Sequence, residues 1–466
     1  MSLLHSTFDK ENPQSLSSTL EKREQYGEIF TPYALIERMF GMLSSEDFED
    51  PSAKWLDPGA GTGFFSIFLF WKLDAGLAEI MPEKAARRRH IVAEMIYMVE
   101  LQEENVAVLA SLFGSSANIA RADYLTDEAF GAIEFDYVVG NPPYNKNGIK
   151  KVPTNNSKNK KKDGITLWFG FVKKSVALLK GGGSLLMIVP SLWMKPDKMG
   201  AYDYLTQYKL RRIECLSNTK TNRAFGGMAQ TPTCFFLLSK QPSDGVCDLY
   251  DADRGDYVNY ALRDQYPIPV FAASVVNKFL AAVDNIGAVA AAVVKTNMPG
   301  KRASLSAAKC GRFKYENIKT ARLDGLRPSL DVNYSDAPLA FHGVAKLVLP
   351  HKMYGFPFLD LEGKYGISNR DNYVIVGRSD EDLRIIGEFL STKTALYIYE
   401  ATRYRMKYLE KYAFLLLPDI TKIPELLVVR PITDATIAKY FRLSADDVSC
   451  IERLHTKNYE FKYEGD

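Results

Sequence analysis

In this 466-residue chain, the stretch whose residue types most directly imply chemistry is Asn141-Pro142-Pro143-Tyr144. It follows Phe135-Asp-Tyr-Val-Val-Gly140, a buried-strand pattern. The four residues therefore fall where a parallel strand of an α/β sheet ends, the edge at which such sheets bind ligands. Each proline fixes its own φ, and Pro142 restricts Asn141 as well, so the turn is stiff. It presents two acceptors side by side, the Asn141 side-chain oxygen and the Pro142 carbonyl, and Pro143 has no N–H to compete for them. Two convergent acceptors suit a planar NH₂ group, and Tyr144 adds a flat face beside it. The combination implies a site for the amino group of a flat or conjugated substrate, where a bare Pro-Pro loop would merely end a strand.

A second motif, Trp55-Leu56-Asp57-Pro58-Gly59-Ala60-Gly61-Thr62-Gly63-Phe64-Phe65, runs from a short apolar strand through a glycine turn into an amphipathic helix over Phe64–Lys72. Gly59, Gly61 and Gly63 let the backbone approach a ligand closely and expose helix N-terminal N–H groups. No Lys-Ser/Thr follows, which excludes a Walker phosphate loop. An Asp at the strand end suits hydroxyls or a positively charged ligand better than a pyrophosphate.

These motifs, in this order and about eighty residues apart, resemble the S-adenosylmethionine-dependent amino-methyltransferases. Within them, residues 25 to about 240 resemble the N6-adenine DNA methyltransferases that carry a C-terminal target-recognition domain. Thr31, in Gly27-Glu28-Ile29-Phe30-Thr31-Pro32, resembles the family segment that closes over the methionine end of the cofactor. Asp57, Gly59, Gly61 and Gly63 resemble its cofactor loop. Glu100, ending Met95-Ile-Tyr-Met-Val-Glu, matches the acid that binds the ribose hydroxyls. Asp123 matches the acid that accepts from the cofactor's adenine amino group, with Tyr124 against that ring. One departure stands out: about forty residues separate Asp57 from Glu100, where a simple βαβ unit places the ribose acid roughly 20 residues on. Glu103 and Glu104 are the alternatives. The segment Asp74–His90 reads as an inserted helix, with Arg87-Arg88-Arg89 a solvated face or a phosphate contact.

The resemblance implies transfer of a methyl group from S-adenosylmethionine to the N6 amino group of adenine in double-stranded DNA, at a specific sequence. The exocyclic nitrogen is a poor nucleophile because its lone pair is delocalised into the ring. Accepting both of its hydrogens at Asn141 and Pro142 favours a tetrahedral nitrogen, and the remaining work is positioning and electrostatics, with no metal. Adenine inside a duplex must be flipped out to reach such a pocket. Tyr144 is the stacking partner. Phe225, in the loop 219–231, is the candidate for the opposite face, with loop packing as its other reading.

The surrounding segments fit a Rossmann-like, seven-stranded α/β sheet. Ile165–Leu179 reads as an amphipathic helix with Leu167, Trp168, Phe171, Val172, Val176 and Leu179 buried. Gly181-Gly-Gly183 reads as its C-cap signal. Ser184–Pro190 reads as a buried strand, and Arg212–Leu216 with Thr233–Leu238 as an antiparallel hairpin at the sheet edge. Asn145–Asp163 holds seven lysines and one acid. Lys146, Lys150 and Lys151 are its candidate phosphate contacts, and the run is expected to be disordered without DNA.

Composition agrees with two domains: 46% of residues are hydrophobic, and the net charge is only +3, so any DNA-binding surface must be local. The five cysteines form no Cys-x-x-Cys pair and imply neither zinc nor a disulfide framework. Neither a signal peptide nor a 20-residue apolar span is present, so no membrane association is expected. The expected catalytic domain is 1–245 and the expected mixed α+β target-recognition domain 265–466, joined by a Pro-, Asp- and Gly-rich stretch at 241–265. In the latter domain, Lys346–Pro350, Phe356–Leu361 and Asn372–Val376 read as strands. Thr392–Tyr412 reads as a long helix carrying Arg403, Arg405, Lys407 and Lys411 among five tyrosines. Inward-packed tyrosines with solvated charges are the favoured reading there, over phosphate and base contact. The region 340–418 resembles recognition domains of modification methyltransferases. Residues 124–140 are too few for a recognition domain between Asp123 and Asn141, and about 25 residues before Gly27 leave no room for a fused nuclease. A monomer with a separate restriction endonuclease or none, in the cytoplasm of a bacterial, archaeal or viral host system, is the resulting expectation. The same turn also serves RNA-adenine and protein-glutamine methylation, and N4-cytosine methylation more often carries Ser in place of Asn141. An idle binding protein on the same fold is the alternative from another class.

Overall fold

The computed structural model describes residues 31–146, 165–227, 231–300, 303–324, 327–351, 357–404 and 409–454. The chain divides into two units, Met1–Trp193 with Asp197–Asp248, and Met194–Pro196 with Leu249–Asp466.

In the first unit, β1 (Trp55–Asp57) lies between β2 (Ile96–Glu100) and β4 (Phe135–Gly140), parallel to both. β1 and β2 are buried at every position, as expected of parallel strands covered on both faces. The order continues through β3 (Asn118–Arg121), β5 (Leu179–Pro190), β6 (Tyr208–Leu216) and β7 (Thr233–Pro242) as β3-β2-β1-β4-β5-β7-β6. β7 runs antiparallel to both β5 and β6. β8 (Val246–Asp251) crosses the division between the units, and β9 (Asp256–Ala261) belongs to the second. The division between the units falls inside the stretch read as a linker, but that stretch is paired structure: its Asp- and Gly-rich centre is the turn between β8 and β9.

Helix α1 (Tyr33–Phe40) buries Leu35, Ile36, Met39 and Phe40. Helix α2 (Phe64–Gly76) is apolar around most of its circumference, as befits a helix covered on several sides. Phe40 meets Phe65 and Phe68 of α2 at centroid distances of 6.3 and 5.0 Å, and Phe70 meets Phe113 edge-on at 6.5 Å. The inserted helix is shorter than expected, because α2 itself runs to Gly76. It is α3 (Lys84–His90), capped by Glu83, whose carboxylate accepts from the Ala85 and Ala86 N–H groups. Arg87 and Arg88 are buried rather than solvated, each bonded to Asp74 at 2.8 Å, while Arg89 faces solvent. Helix α4 (Glu103–Phe113) follows β2, and α5 (Trp168–Leu178) precedes β5. Gly181–Gly183 do not cap α5. They lie within β5, where the register with β4 shifts between Phe135↔Leu179 and Tyr137↔Ser184. A Cβ on Gly183 would stand 3.0–3.1 Å from three carbonyl oxygens, so only glycine fits that bulge.

The second unit holds two four-stranded sheets. One contains β10 (Val293–Lys295), β14 (Lys346–Pro350), β15 (Phe358–Asp360) and β17 (Asn372–Ile375). The other contains β11 (Leu305–Ser306), β12 (Tyr315–Asp324), β13 (Arg327–Ser335) and β16 (Gly366–Ile367). Ile318, Val348, Phe358, Tyr365, Ile367 and Val374 form one apolar cluster from both sheets. Lys346 is buried, and its charge is met by Asp360 Oδ2 at 2.5 Å and by two backbone carbonyls. The expected long helix ends early, at Ala401, and Lys411–Leu415 is a separate 3₁₀ turn, while 405–408 lie outside the described residues. Tyr397, Tyr399 and Tyr404 are buried: Tyr397 donates to Asp253 at 3.0 Å and Tyr404 to the Ile268 carbonyl at 2.6 Å. Among the described residues no helix is long and apolar enough to cross a membrane.

Candidate active site

The parallel pairing of β1 with β4 brings the two motifs of the sequence side by side. A Cβ on Gly140, the residue before Asn141, would lie 3.2 Å from Asp57 Oδ1 and 3.4 Å from Pro58 Cδ. A Cβ on Gly59 would lie 3.7 Å from Phe171 and 4.0 Å from Pro143. The glycine loop and the Asn-Pro-Pro-Tyr turn are thus in near contact at the carboxyl ends of adjacent strands. Gly63 enters α2 with φ +94°, a backbone conformation that calls for glycine, and a Cβ there would meet Leu109 Cδ2 at 2.8 Å.

The acids sit at successive strand ends. Asp57 is 1% exposed and accepts from Ser66 Oγ at 2.8 Å, a bond made from the first turn of α2. Burial pushes its carboxyl up to about 7, against the hydrogen bonds from Ser66 and Gly59, and the Glu100 charge adds to the rise. Glu100 is 7% exposed, and its Oε2 accepts the Gly61 N–H at 2.8 Å. Its Oε1 accepts the Gln102 N–H at 2.9 Å and Asn105 Nδ2 at 3.4 Å. Glu103 and Glu104 are exposed on α4, and Glu103 pairs with Arg121, so Glu100 is the acid turned to the glycine loop. Asp123 follows β3, half-buried, and accepts the Leu125 N–H at 2.9 Å. Tyr124 is buried: its ring lies 5.0 Å from Phe171, and its hydroxyl is 3.0 Å from Ser175 Oγ.

In the turn itself, Asn141 Nδ2 donates to Thr31 Oγ1 at 3.0 Å, which makes the oxygen the end of the amide directed away from Thr31. The Tyr144 hydroxyl is buried with no hydrogen-bond partner among the described residues, and burial pushes the phenol well above its ordinary value, with Cys234 adding to the rise. The exit from the turn is pinned, because Tyr144 O accepts the Leu167 N–H at 3.0 Å and Lys146 N donates to Ile165 O at 2.8 Å. Lys146 is exposed, while Lys150 and Lys151 lie outside the described residues. Phe225 ends helix Asn218–Ala224 and is 2% exposed, so in this conformation it packs into the loop and offers no open ring face.

Sequence reasoning placed Phe171 on a buried helix face but missed that this face underlies Gly59. It also missed Ser66, although a lone Ser in Phe64-Phe-Ser-Ile-Phe-Leu-Phe70 was a signal for a buried polar contact.

The sequence profile of the family described as Eco57I restriction-modification methylase matches residues 83–225, which include β2, β4 and the Asn141–Tyr144 turn. An uncharacterized adenine-specific methylase of Mycoplasma pneumoniae is 38% identical over 77 residues, covering 16% of this chain and 18% of the relative. The type II methyltransferase M.BsuBI of Bacillus subtilis is 27% identical over 207 residues, covering 41% of this chain and 38% of the relative. The modification methylase CviBIII of Paramecium bursaria Chlorella virus NC1A is 29% identical over 176 residues, covering 37% and 40%. The chain spans less than half the length of each of these relatives. By these matches, the chain resembles the adenine-specific methylases of restriction-modification systems.

Proposed function

We propose that this chain methylates the N6 amino group of adenine in double-stranded DNA, using S-adenosylmethionine, at a specific sequence. The observation that carries this reading is the Asn141–Tyr144 turn at the end of β4, in near contact with the glycine loop and with its amide oriented by Thr31.

The residues present fit the cofactor. Thr62 Oγ1, inside the glycine loop, is buried with no partner among the described residues, as expected of a group kept for a ligand. Gly59 leaves open the space that a side chain would take between Phe171 and Pro143. Thr31, Asp57, Gly59, Gly61, Gly63, Glu100, Asp123 and Tyr124 would hold it or line its place. When bound, it supplies a methyl group made electrophilic by the adjoining sulfonium.

The chain's own part is geometric. Asn141 Oδ1 and the Pro142 carbonyl accept the two hydrogens of the amino group, pyramidalise the nitrogen and aim its lone pair. Tyr144 supplies the stacking face for the extruded base, and Phe225 serves the opposite face once the loop opens. Bond formation leaves a cationic nitrogen, acidic enough to release its proton to water without a strong base in the site. Lys146, Lys150 and Lys151 contact phosphates, and the second unit reads the target sequence. We infer that it works as a monomer in the cytoplasm, beside a separate restriction endonuclease or none.

The test is transfer of labelled methyl to unmethylated genomic DNA, read by mass spectrometry of the digested nucleosides. N6-methyladenine from the wild type but not from Asn141→Ala is the expected result. Absence of label on DNA with cofactor binding intact would overturn the reading and direct the search to RNA and protein-glutamine substrates.

A further inference from the structure

We propose that Thr31 is the positioning residue of the Asn141 amide, a role separate from contact with the cofactor. The inference rests on the methyl-transfer reading above and deepens it.

An asparagine amide has two ends of nearly the same shape and opposite hydrogen-bonding sense. Only one orientation serves an amino-group substrate. With Oδ1 toward the site, Asn141 accepts a substrate hydrogen; with Nδ2 toward the site, it sets donor against donor. In the structure Thr31 Oγ1 accepts from Asn141 Nδ2 at 3.0 Å across 110 residues of sequence, which holds the side chain with Oδ1 directed away from Thr31. Thr31 is 4% exposed, so water does not stand in for this bond.

The hydroxyl is firmly held. Thr31 directly precedes Pro32, whose carbonyl accepts the Leu35 and Ile36 N–H groups at 2.9 and 3.1 Å and so opens α1. The buried side of α1 carries Phe40 against Phe65 and Phe68 of α2. Its other anchor is Arg38, paired at 2.5 Å with Glu214 on β6, itself buried. Helix α2 begins at the glycine loop, so one rigid strut joins the cofactor loop to the amide that meets the substrate. Thr31 touches no reacting atom and acts through Asn141.

The experiment compares wild type, Thr31→Val and Thr31→Ser. Valine keeps the shape and removes the acceptor; serine restores it. For Thr31→Val the expected result is a kcat about 10- to 100-fold lower, as for a misaimed catalytic group. The KM for DNA and the 2-aminopurine fluorescence of base extrusion should stay within about twofold. Thr31→Ser should recover most of kcat. Wild-type kcat in Thr31→Val overturns the inference, as does a loss confined to cofactor affinity. A readout independent of turnover is the side-chain NH₂ resonance of Asn141 in cofactor-free protein labelled with ¹⁵N at asparagine, identified by its loss in Asn141→Ala. It should move in Thr31→Val and return in Thr31→Ser; an unmoved resonance overturns the inference. If wild type transfers no methyl to DNA, the activity reading fails, and the resonance still decides the role of Thr31.

Discussion

Glu100 Oε2 holds the Gly61 N–H at 2.8 Å, so the carboxylate at the end of β2 fixes the backbone of the loop at the end of β1. The same carboxylate holds the Gln102 N–H, which opens α4. One side chain therefore shapes both walls of the proposed cofactor site. Hydrogen bonds to a charged group contribute roughly 1.5–3 kcal/mol each. Glu100→Ala should weaken S-adenosylmethionine binding by about 10- to 100-fold in calorimetry, with a smaller loss for Glu100→Gln, which keeps an acceptor. Equal affinities for wild type and the alanine variant would remove Glu100 from the site.

The buried carboxyl of Asp57 predicts an inverted pH dependence. Its folded value is about 7, against about 3.9 for an unperturbed Asp. Between those values the folded chain binds more protons than the unfolded one, so stability falls as pH rises. Glu214 has the same sign: burial pushes it up to about 7 in spite of Arg38. Each group costs up to about 1.4 kcal/mol per pH unit within that window. The cofactor-free protein should melt at lower temperature near pH 7.5 than near pH 5.5, and Asp57→Asn should flatten that slope. Parallel melting curves for wild type and Asp57→Asn would sink the assignment.

What was legible in the sequence was local backbone chemistry. Asn141-Pro-Pro-Tyr144 and the loop from Asp57 to Gly63 fell at the ends of β4 and β1 because prolines and glycines constrain the chain wherever they occur. What was not legible required a distant partner. Arg87 and Arg88 read as a solvated run because Asp74 lies thirteen and fourteen residues back, and only the reversal between α2 and α3 brings it over them. Gly181–Gly183 carried a signal common to helix caps and strand bulges, and the pairing of β5 with β4 chose the bulge. The strands of 246–261 were hidden by their own turn, whose Asp and Gly residues resemble a linker. Thr31 was noticed for its neighbours in sequence, whereas its observed bond is to Asn141.

Tyr144 is held with its hydroxyl buried and no partner among the described residues, next to Cys234. An unmet buried hydroxyl costs about 1–3 kcal/mol. Tyr144→Phe should therefore leave stability unchanged or raise it by about 1 kcal/mol. It should also retain methyl transfer within about threefold, since the ring face is kept. Tyr144→Ala should lose stacking and with it most of the rate, with a reduced 2-aminopurine signal. A large loss in the phenylalanine variant would assign the hydroxyl a role in the reaction that its surroundings do not suggest.

The lysines after the turn should govern the salt dependence of DNA binding. Every phosphate left without its cation lowers the slope of log K against log salt by about 0.9. Replacing Lys146, Lys150 and Lys151 together by Gln should lower it by about 2 to 3, measured by fluorescence anisotropy across salt concentrations. An unchanged slope would move the electrostatic surface elsewhere.

Asp74 answers two arginines at once, and both are buried. Arg87 also donates to the Met81 carbonyl at 2.7 Å, and the Arg88 guanidinium lies 5.1 Å from the Trp71 ring. Removing the carboxylate leaves two desolvated cations facing each other, and breaking a single buried pair already costs about 3–5 kcal/mol. Asp74→Ala should lower the urea midpoint accordingly, while Arg89→Ala, whose side chain is 61% exposed, should change neither stability nor the salt slope of DNA binding. If instead Asp74→Ala unfolds with wild type and Arg89→Ala weakens DNA binding steeply, the arginine run belongs to the DNA surface and not to the core of the first unit.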